Sequence, residues 1–267
     1  MLVRKPCVAG KFYPGDEKTL KASVDNFLSH SPKETAKAII APHAGYVYSG
    51  GVAGFIYSCV HMPDDVILIG PNHTGLGKKV SVMAQGAWDM PLGKVNINKE
   101  LAEEVISSSA LFSKDNEAHL LEHSLEVQLP FIYSLNKASR IVPITVMQAT
   151  IAQCAEMGKA IAGVISNYGK EVLIVVSSDM NHYESEAATR AKDRLAIDKV
   201  LKLDYAGLIR IADENDISMC GLLPTAIAIA AVKALGGVEG RLVKYSTSGE
   251  VNGDYSQVVG YAGMLLK

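Results

Sequence analysis

The sequence is poor in cysteine, in tryptophan and in long apolar runs, and each shortage excludes something. Four cysteines (Cys7, Cys59, Cys154 and Cys220) lie far apart in 267 residues with no CxxC pair. That excludes a disulfide scaffold and a paired-thiolate motif, and it fits a reducing cytoplasm. The CxxxCxxC pattern of a radical iron–sulfur enzyme is also missing. No apolar stretch reaches the roughly 18 residues of a membrane helix, since even "LLPTAIAIAAVKALGG" is broken by Pro224 and Lys233. The opening "MLVRKPCVAGKFYP" has no apolar core of signal-peptide length, so a soluble, cytoplasmic protein is expected. Basic residues form no stripe or tail, and the formal charge is only −2. This argues against a nucleic-acid groove or an anionic membrane surface, and the expected partner is a small molecule or a peptide.

What is present points to an α/β protein. Short β-branched runs, apolar on both faces, occur at 38–42 "AIIAP", 66–70 "VILIG", 140–147 "RIVPITVM" and 171–177 "EVLIVVS". Such runs suit a sheet covered by helices on both sides. Helical patterns alternate with them at 49–60, 98–109, 122–135, 150–167, 186–201, 204–213 and 221–235. Closing strands are expected at 240–246 and 257–266, around the turn-rich "STSGEVNGDYS". No repeat or linker divides the chain, so one layered domain over residues 1–267 with a mainly parallel sheet is predicted. Residues 71–97, rich in Gly and Lys, are expected to carry a short strand at "KKVSVMA" before an irregular stretch holding the single tryptophan, Trp88, and to form a lid or pocket wall.

Ligands bind in open α/β sheets at the carboxyl ends of the strands. His43 follows "AIIAP", His73 follows "VILIGPN" and His182 follows "VLIVVSSDMN". Parallel strands would gather three of the seven histidines at one rim, which packing alone does not explain. His30 and His61 read as solvated surface residues and His119 as structural. Cys220 precedes a helix start at Gly221, where a helix amino terminus favours the thiolate, although on position alone a buried, inert cysteine is the commoner reading. Cys7, Cys59 and Cys154 read as core. Asp179 is placed to orient an imidazole, to bind a metal or to cap the next helix. In "LEHSLEVQLPF", His123 and Glu126 would share one helix face at i, i+3. Tyr46 and Tyr48 could line a pocket or simply pack.

Six ordered motifs, "RKPCVAGKFYP", "APHAGYVYSG", "GPNHTG", "EHSLEVQLPF", "SSDMNHY" and "MCG", resemble those of the Memo family, also known as AmmeMemoRadiSam system protein B. The resemblance implies a fold like that of class III extradiol dioxygenases, which hold non-haem iron by two histidines and a carboxylate. By motif, His43 and His73 correspond to the two metal histidines, and Cys220 stands where those enzymes carry their carboxylate. His182 corresponds to the acid/base histidine, with Asp179 as its partner. Two imidazoles and a thiolate make a softer site, suited to one zinc, copper or iron ion; Glu126 would restore an oxygen ligand if it came close. No nucleotide cofactor is implied. The resemblance leaves three roles open: a metal-dependent oxidoreductase, a peptide- or ligand-binding protein, or a component of a modification pathway with a radical-SAM enzyme and an AMMECR-like protein.

Overall fold

A computed structural model describes residues 2–267. The described residues form twelve strands. The first six are β1 (Val3–Arg4), β2 (Ala38–Ala41), β3 (Asp65–Pro71), β4 (Val80–Val82), β5 (Ala87–Met90) and β6 (Gly93–Ile97). The others are β7 (Ser113–Lys114), β8 (Arg140–Val146), β9 (Val172–Ser177), β10 (His182–Glu184), β11 (Gly240–Thr247) and β12 (Val258–Leu266). Their spatial order is β1-β5-β6-β8-β3-β9-β2-β12-β10, with β11 beside β12, and β4 pairing with β8 and β7. The centre, β6-β8-β3-β9-β2, is parallel throughout. Every residue of β2, β3 and β9 is buried, which explains why their sequences are apolar without alternation.

Helices cover the sheet: α1 (Glu17–Phe27), α2 (Tyr46–Ser58), α3 (Lys99–Ser108), α4 (Glu117–Leu120) and α5 (Leu129–Leu135), then α6 (Ile151–Tyr168), α7 (Glu186–Leu201), α8 (Tyr205–Glu214), α9 (Leu222–Ala234) and α10 (Gly249–Asn252). The longest, α6, starts at a capping box of Thr150 and Gln153 and stops at Gly169 with φ 73°. The largely apolar α9, whose one charged residue, Lys233, lies in its last turn, is buried over Pro224–Val232 between α6 and the sheet, as a helix with no polar face must be. None of these helices is long and apolar enough to cross a membrane.

Two expectations are corrected here. Residues 71–97 are not a lid: they supply β4, β5 and β6 to the sheet, and Trp88 is fully buried. The predicted helix 122–135 begins only at Leu129, after a 3-10 turn over Glu126–Gln128, so His123 and Glu126 share no helix face. Pro130 sits in the first turn of α5, where its missing N–H costs nothing.

Trp88 belongs to an unusual core. The Arg4 guanidinium lies 4.4 Å from its ring centroid, and the His119 ring meets its edge at 5.9 Å. His119 is wholly buried with both ring nitrogens lacking a hydrogen-bond partner. Burial therefore holds its pKa down, to about 4 from 6.5. The folded state binds this proton less well than the unfolded chain, so the stability contributed is complete above pH 6.5 and is withdrawn as pH falls toward 4. His119→Leu should flatten the pH dependence of urea unfolding across that window, removing up to about 3 kcal/mol of it. An unchanged slope would show that His119 finds a proton-stabilising partner in solution.

Candidate metal centre

Three neighbouring parallel strands set the position of the site. His43 lies two residues beyond the end of β2, His73 two beyond β3 and Asp179 two beyond β9. β9 runs between β2 and β3, with Ala41 beside Ser177 and Ile69 beside Val176. Equal overhangs from aligned strands bring the three loops to one rim.

A fourth segment closes over this rim. From Glu122 to Gln128 every second residue is polar and wholly buried: Glu122, Ser124, Glu126 and Gln128. Each is tied to a different part of the fold. Ser124 donates its hydroxyl to the Pro71 carbonyl at 3.0 Å. Gln128 donates to the Pro42 carbonyl at 3.0 Å and to Ser177 Oγ at 2.8 Å, and accepts from the Tyr57 hydroxyl at 3.0 Å. Gly70 lets this strap approach, since a Cβ there would sit 2.7 Å from Leu125 Cδ2.

Glu126 does not face the histidines. It is ion-paired with Arg4, and it accepts from the Cys7 amide at 2.8 Å, the Val8 amide at 3.1 Å and the Tyr13 hydroxyl at 2.7 Å. With its lone pairs occupied, it anchors the amino-terminal segment and has no part in an oxygen ligand set. Cys7, expected in the core, is only partly buried beside this ion pair, its Sγ 3.2 Å from both Arg4 and Glu126.

The carboxylate that reaches the site is Glu122. Its Oε1 lies 2.9 Å from His73 Nδ1, and its Oε2 accepts the His73 amide. Burial works to raise its carboxyl, but the hydrogen bonds and charge of His73 and the Ser124 amide outweigh this and bring it to about 2. An ionised Glu122 only accepts, so His73 Nδ1 carries a proton, and in the neutral ring the lone pair lies on Nε2.

His43 reaches the same tautomer by another route. Its Nδ1 lies 2.9 Å from Ser177 Oγ. The single proton of that hydroxyl is donated to the Ser124 carbonyl at 2.6 Å, so Ser177 can only accept from His43. His43 Nε2 is left with a lone pair, 3.3 Å from Cys220 Sγ.

His123 completes the cluster. It stacks on His73 at 4.8 Å between ring centroids, and it meets His43 edge-on at 5.6 Å. One ligand atom from each of His43, His73 and His123 lies within 4.8 Å of the others, a group that could hold a metal ion. Burial holds the pKa of His43 well below its ordinary value, helped by His123 and His73. Burial lowers that of His123 too. Both rings are therefore neutral near pH 7, the form that binds metals.

The remaining expected residues are placed as follows. Cys220 lies at the rim, where Gly221 permits close approach: a Cβ on Gly221 would be 2.4 Å from Ser178 Cβ. The expected thiolate is not favoured by the protein alone, because burial and then the Asp179 carboxylate push the thiol up, beyond what the helix start offsets. Asp179 Oδ1 accepts the amides of His43 at 2.8 Å and Ala44 at 3.3 Å, so it fixes the His43 loop. Burial raises its carboxyl against those bonds.

The His182 ring is oriented by Ser218 rather than by Asp179. His182 Nδ1 lies 2.9 Å from the Ser218 carbonyl, which can only accept. The His182 amide donates to Ser218 Oγ at 2.8 Å, and Asn181 Oδ1 accepts from the Ser218 amide at 3.0 Å. His182 Nε2 is thus free to take a proton. Tyr46 is buried, its hydroxyl donating to the Val127 carbonyl at 2.7 Å, and it packs rather than lining a pocket. Tyr48 is exposed.

Sequence reasoning missed Glu122, Ser177, Gln128 and Ser218. The first three had a signal, the period-two alternation of buried polar residues in the strap and the serine closing a buried strand. Ser218 acts through its carbonyl and had none.

Comparison with known proteins shows what the chain is similar to. The family model for Memo-like protein matches residues 4–265. The chain is 42% identical to a MEMO1 family protein of Aquifex aeolicus over the whole of both chains. It is 41% identical to one from Methanopyrus kandleri, covering 99% of each. It is 44% identical to one from Pyrobaculum arsenaticum, covering 100% of this chain and 99% of that one. Among solved structures, that of an uncharacterized protein from Escherichia coli K12 shares the fold, with a TM-score of 0.59 and 13% identity, covering 86% of this chain and all of that one.

Ser177→Ala should leave the Ser124 carbonyl and His43 Nδ1 without partners, at a cost of about 2 kcal/mol in urea unfolding. Nitrogen-15 spectra of His43 should change from one tautomer to a mixture. A single Nδ1–H tautomer surviving in the variant would show that another group controls this ring.

Proposed function

The chain belongs to the Memo-like protein family, and from that premise we propose that it is a metal-dependent enzyme built on one divalent ion at the histidine rim. The observation that carries the proposal is the convergence of His43, His73 and His123, whose ligand atoms lie within 4.8 Å of one another. The donor set fits the ion. In the neutral rings the hydrogen bonds at Nδ1 leave the lone pair on Nε2 of His43 and of His73, and His43 and His123 are held neutral. Imidazole donors suit zinc, copper and iron alike.

His43 and His73 are the shared ligands in this reading. His123 is the third by geometry, and Cys220, with Sγ 3.3 Å from His43 Nε2, is the further donor that the family motif suggests. A bound ion would supply Lewis acidity for the activation of water or oxygen at an open position. His182 is assigned the proton transfer: its ring is fixed at Nδ1 by the Ser218 carbonyl, and Nε2 can accept a proton from a small substrate and return it. Asp179 positions the ligand loop by holding the His43 and Ala44 amides. Glu122 holds the His73 ring.

Metal analysis by plasma mass spectrometry, on protein prepared without chelator, tests the reading. About one ion per chain is expected. It should be lost in His43→Ala and His73→Ala and retained in His182→Ala, which should lose turnover only. His123→Ala and Cys220→Ser then identify the third ligand by which of them loses the ion. If the wild type binds no zinc, copper or iron even after reconstitution, the metal reading is wrong.

A further inference from the structure

The residue next to His182 has a backbone conformation that its own side chain opposes. Tyr183 has φ 61°, in the left-handed region that suits glycine or asparagine. It interrupts the antiparallel pairing of β10 with β12, where His182 lies opposite Val259 and Glu184 opposite Val258 with a shift of register between them. A bulge with its first residue left-handed normally uses glycine, and bulges beside functional sites serve to re-aim side chains. The tyrosine gains little from the fold in return: its side chain is 72% exposed, and its hydroxyl has no hydrogen-bond partner among the described residues. Packing does not account for a strained, solvent-facing aromatic ring.

The surroundings indicate what the ring faces. The Tyr183 ring centroid is 5.6 Å from that of His182. Exposed apolar side chains in the loops carrying the site histidines are Val47, Leu76 and Leu121, and the His73 loop adds the exposed Lys78 and Lys79. The imidazoles thus have a margin of aromatic, apolar and basic side chains.

We propose that Tyr183 is a specificity-determining residue: held by the bulge beside His182, it lies against the flat apolar body of a substrate whose small polar end faces the histidines. The proposal rests on the histidine cluster being the reaction centre. The strain at residue 183 is maintained for ligand contact, so relieving it should help the fold and harm recognition.

The test uses imidazole and 4-phenylimidazole, which share a metal-binding head and differ in the apolar body, on the full chain titrated with cobalt(II). Appearance of the cobalt visible spectrum is scored first and bears only on the metal reading. Dissociation constants then follow from changes in that spectrum. If cobalt does not bind, they follow from proton NMR of the metal-free protein. The phenyl compound should bind at least about tenfold more tightly, as an added aromatic contact allows. Tyr183→Gly should reduce that advantage about fivefold, and Tyr183→Phe should keep it. Melting temperatures of Tyr183→Gly and Tyr183→Asn should equal or exceed that of the wild type. An undiminished ratio in Tyr183→Gly, no preference for the phenyl compound, or a fall of several degrees in both variants would overturn the proposal.

Discussion

A serine hydroxyl has one proton to give, and the Ser177 proton is given to the Ser124 carbonyl at 2.6 Å. That single commitment fixes much of the site. Ser177 Oγ must accept whatever else approaches, so the His43 ring presents Nδ1–H to it and keeps the Nε2 lone pair for the rim. The Gln128 amide must present its nitrogen to the same oxygen, and the Pro42 carbonyl, which can only accept, makes that orientation unambiguous, leaving the amide oxygen to accept from the Tyr57 hydroxyl. The chain of donors runs from α2 through the strap to the end of β9 without a reversal. A reversal anywhere would leave a buried donor facing a donor, which costs more than any one of these bonds contributes.

The strap shows why so much polarity is buried here. Four alternate side chains, from Glu122 to Gln128, enter the protein and meet four different regions: the β3 loop, the strand ends, the amino-terminal segment and the β2 loop with α2. Apolar residues could fill the same volume at little or no loss of stability. They could not dictate which atom meets which. The Arg4 and Glu126 pair holds the first residues of the chain against the strap, and its energetic return is modest once the desolvation of both charges is counted. Its geometric return is larger, because Tyr13 and the amides of Cys7 and Val8 are tied to one carboxylate. The apolar sheet determines that the rim exists, and the buried polar strap determines its chemistry.

The legibility of the sequence follows the same division. Apolar strand runs ended by proline, glycine or asparagine identified β2, β3 and β9 and the histidines beyond two of them, because burial on both faces leaves a strong local signal. The strap was misread as a helix because Leu, Glu, His and Pro satisfy helical spacing in "LEHSLEVQLPF". Its alternation of buried polar and other residues had period two, which argues for an irregular or extended segment. Within residues 71–97 the strand expected at "KKVSVMA" is β4, but β5 and β6 were read as irregular, because short strands such as β6, alternating between buried and exposed, need few apolar positions. The thiolate expected at Cys220 assumed that a helix start acts alone. Burial and the neighbouring Asp179 charge outweigh it. The Ser218 carbonyl that orients His182 lay beyond any reading of side chains, since every residue has one.

The close grouping of three imidazoles has a consequence that no single ring would show. Protonating any one of them places a positive charge beside two others in a region with little water. His43 and His123 are accordingly both shifted toward the neutral form, by burial and by their neighbours. Glu122 is the carboxylate nearest the rings, its Oε1 2.9 Å from His73 Nδ1 and 3.4 Å from His123 Nδ1. Burial and mutual repulsion disfavour protons on His43 and His123, against the pull of the Glu122 charge. They leave those donors available to a divalent cation, which can engage several nitrogens at once where a proton can engage only one.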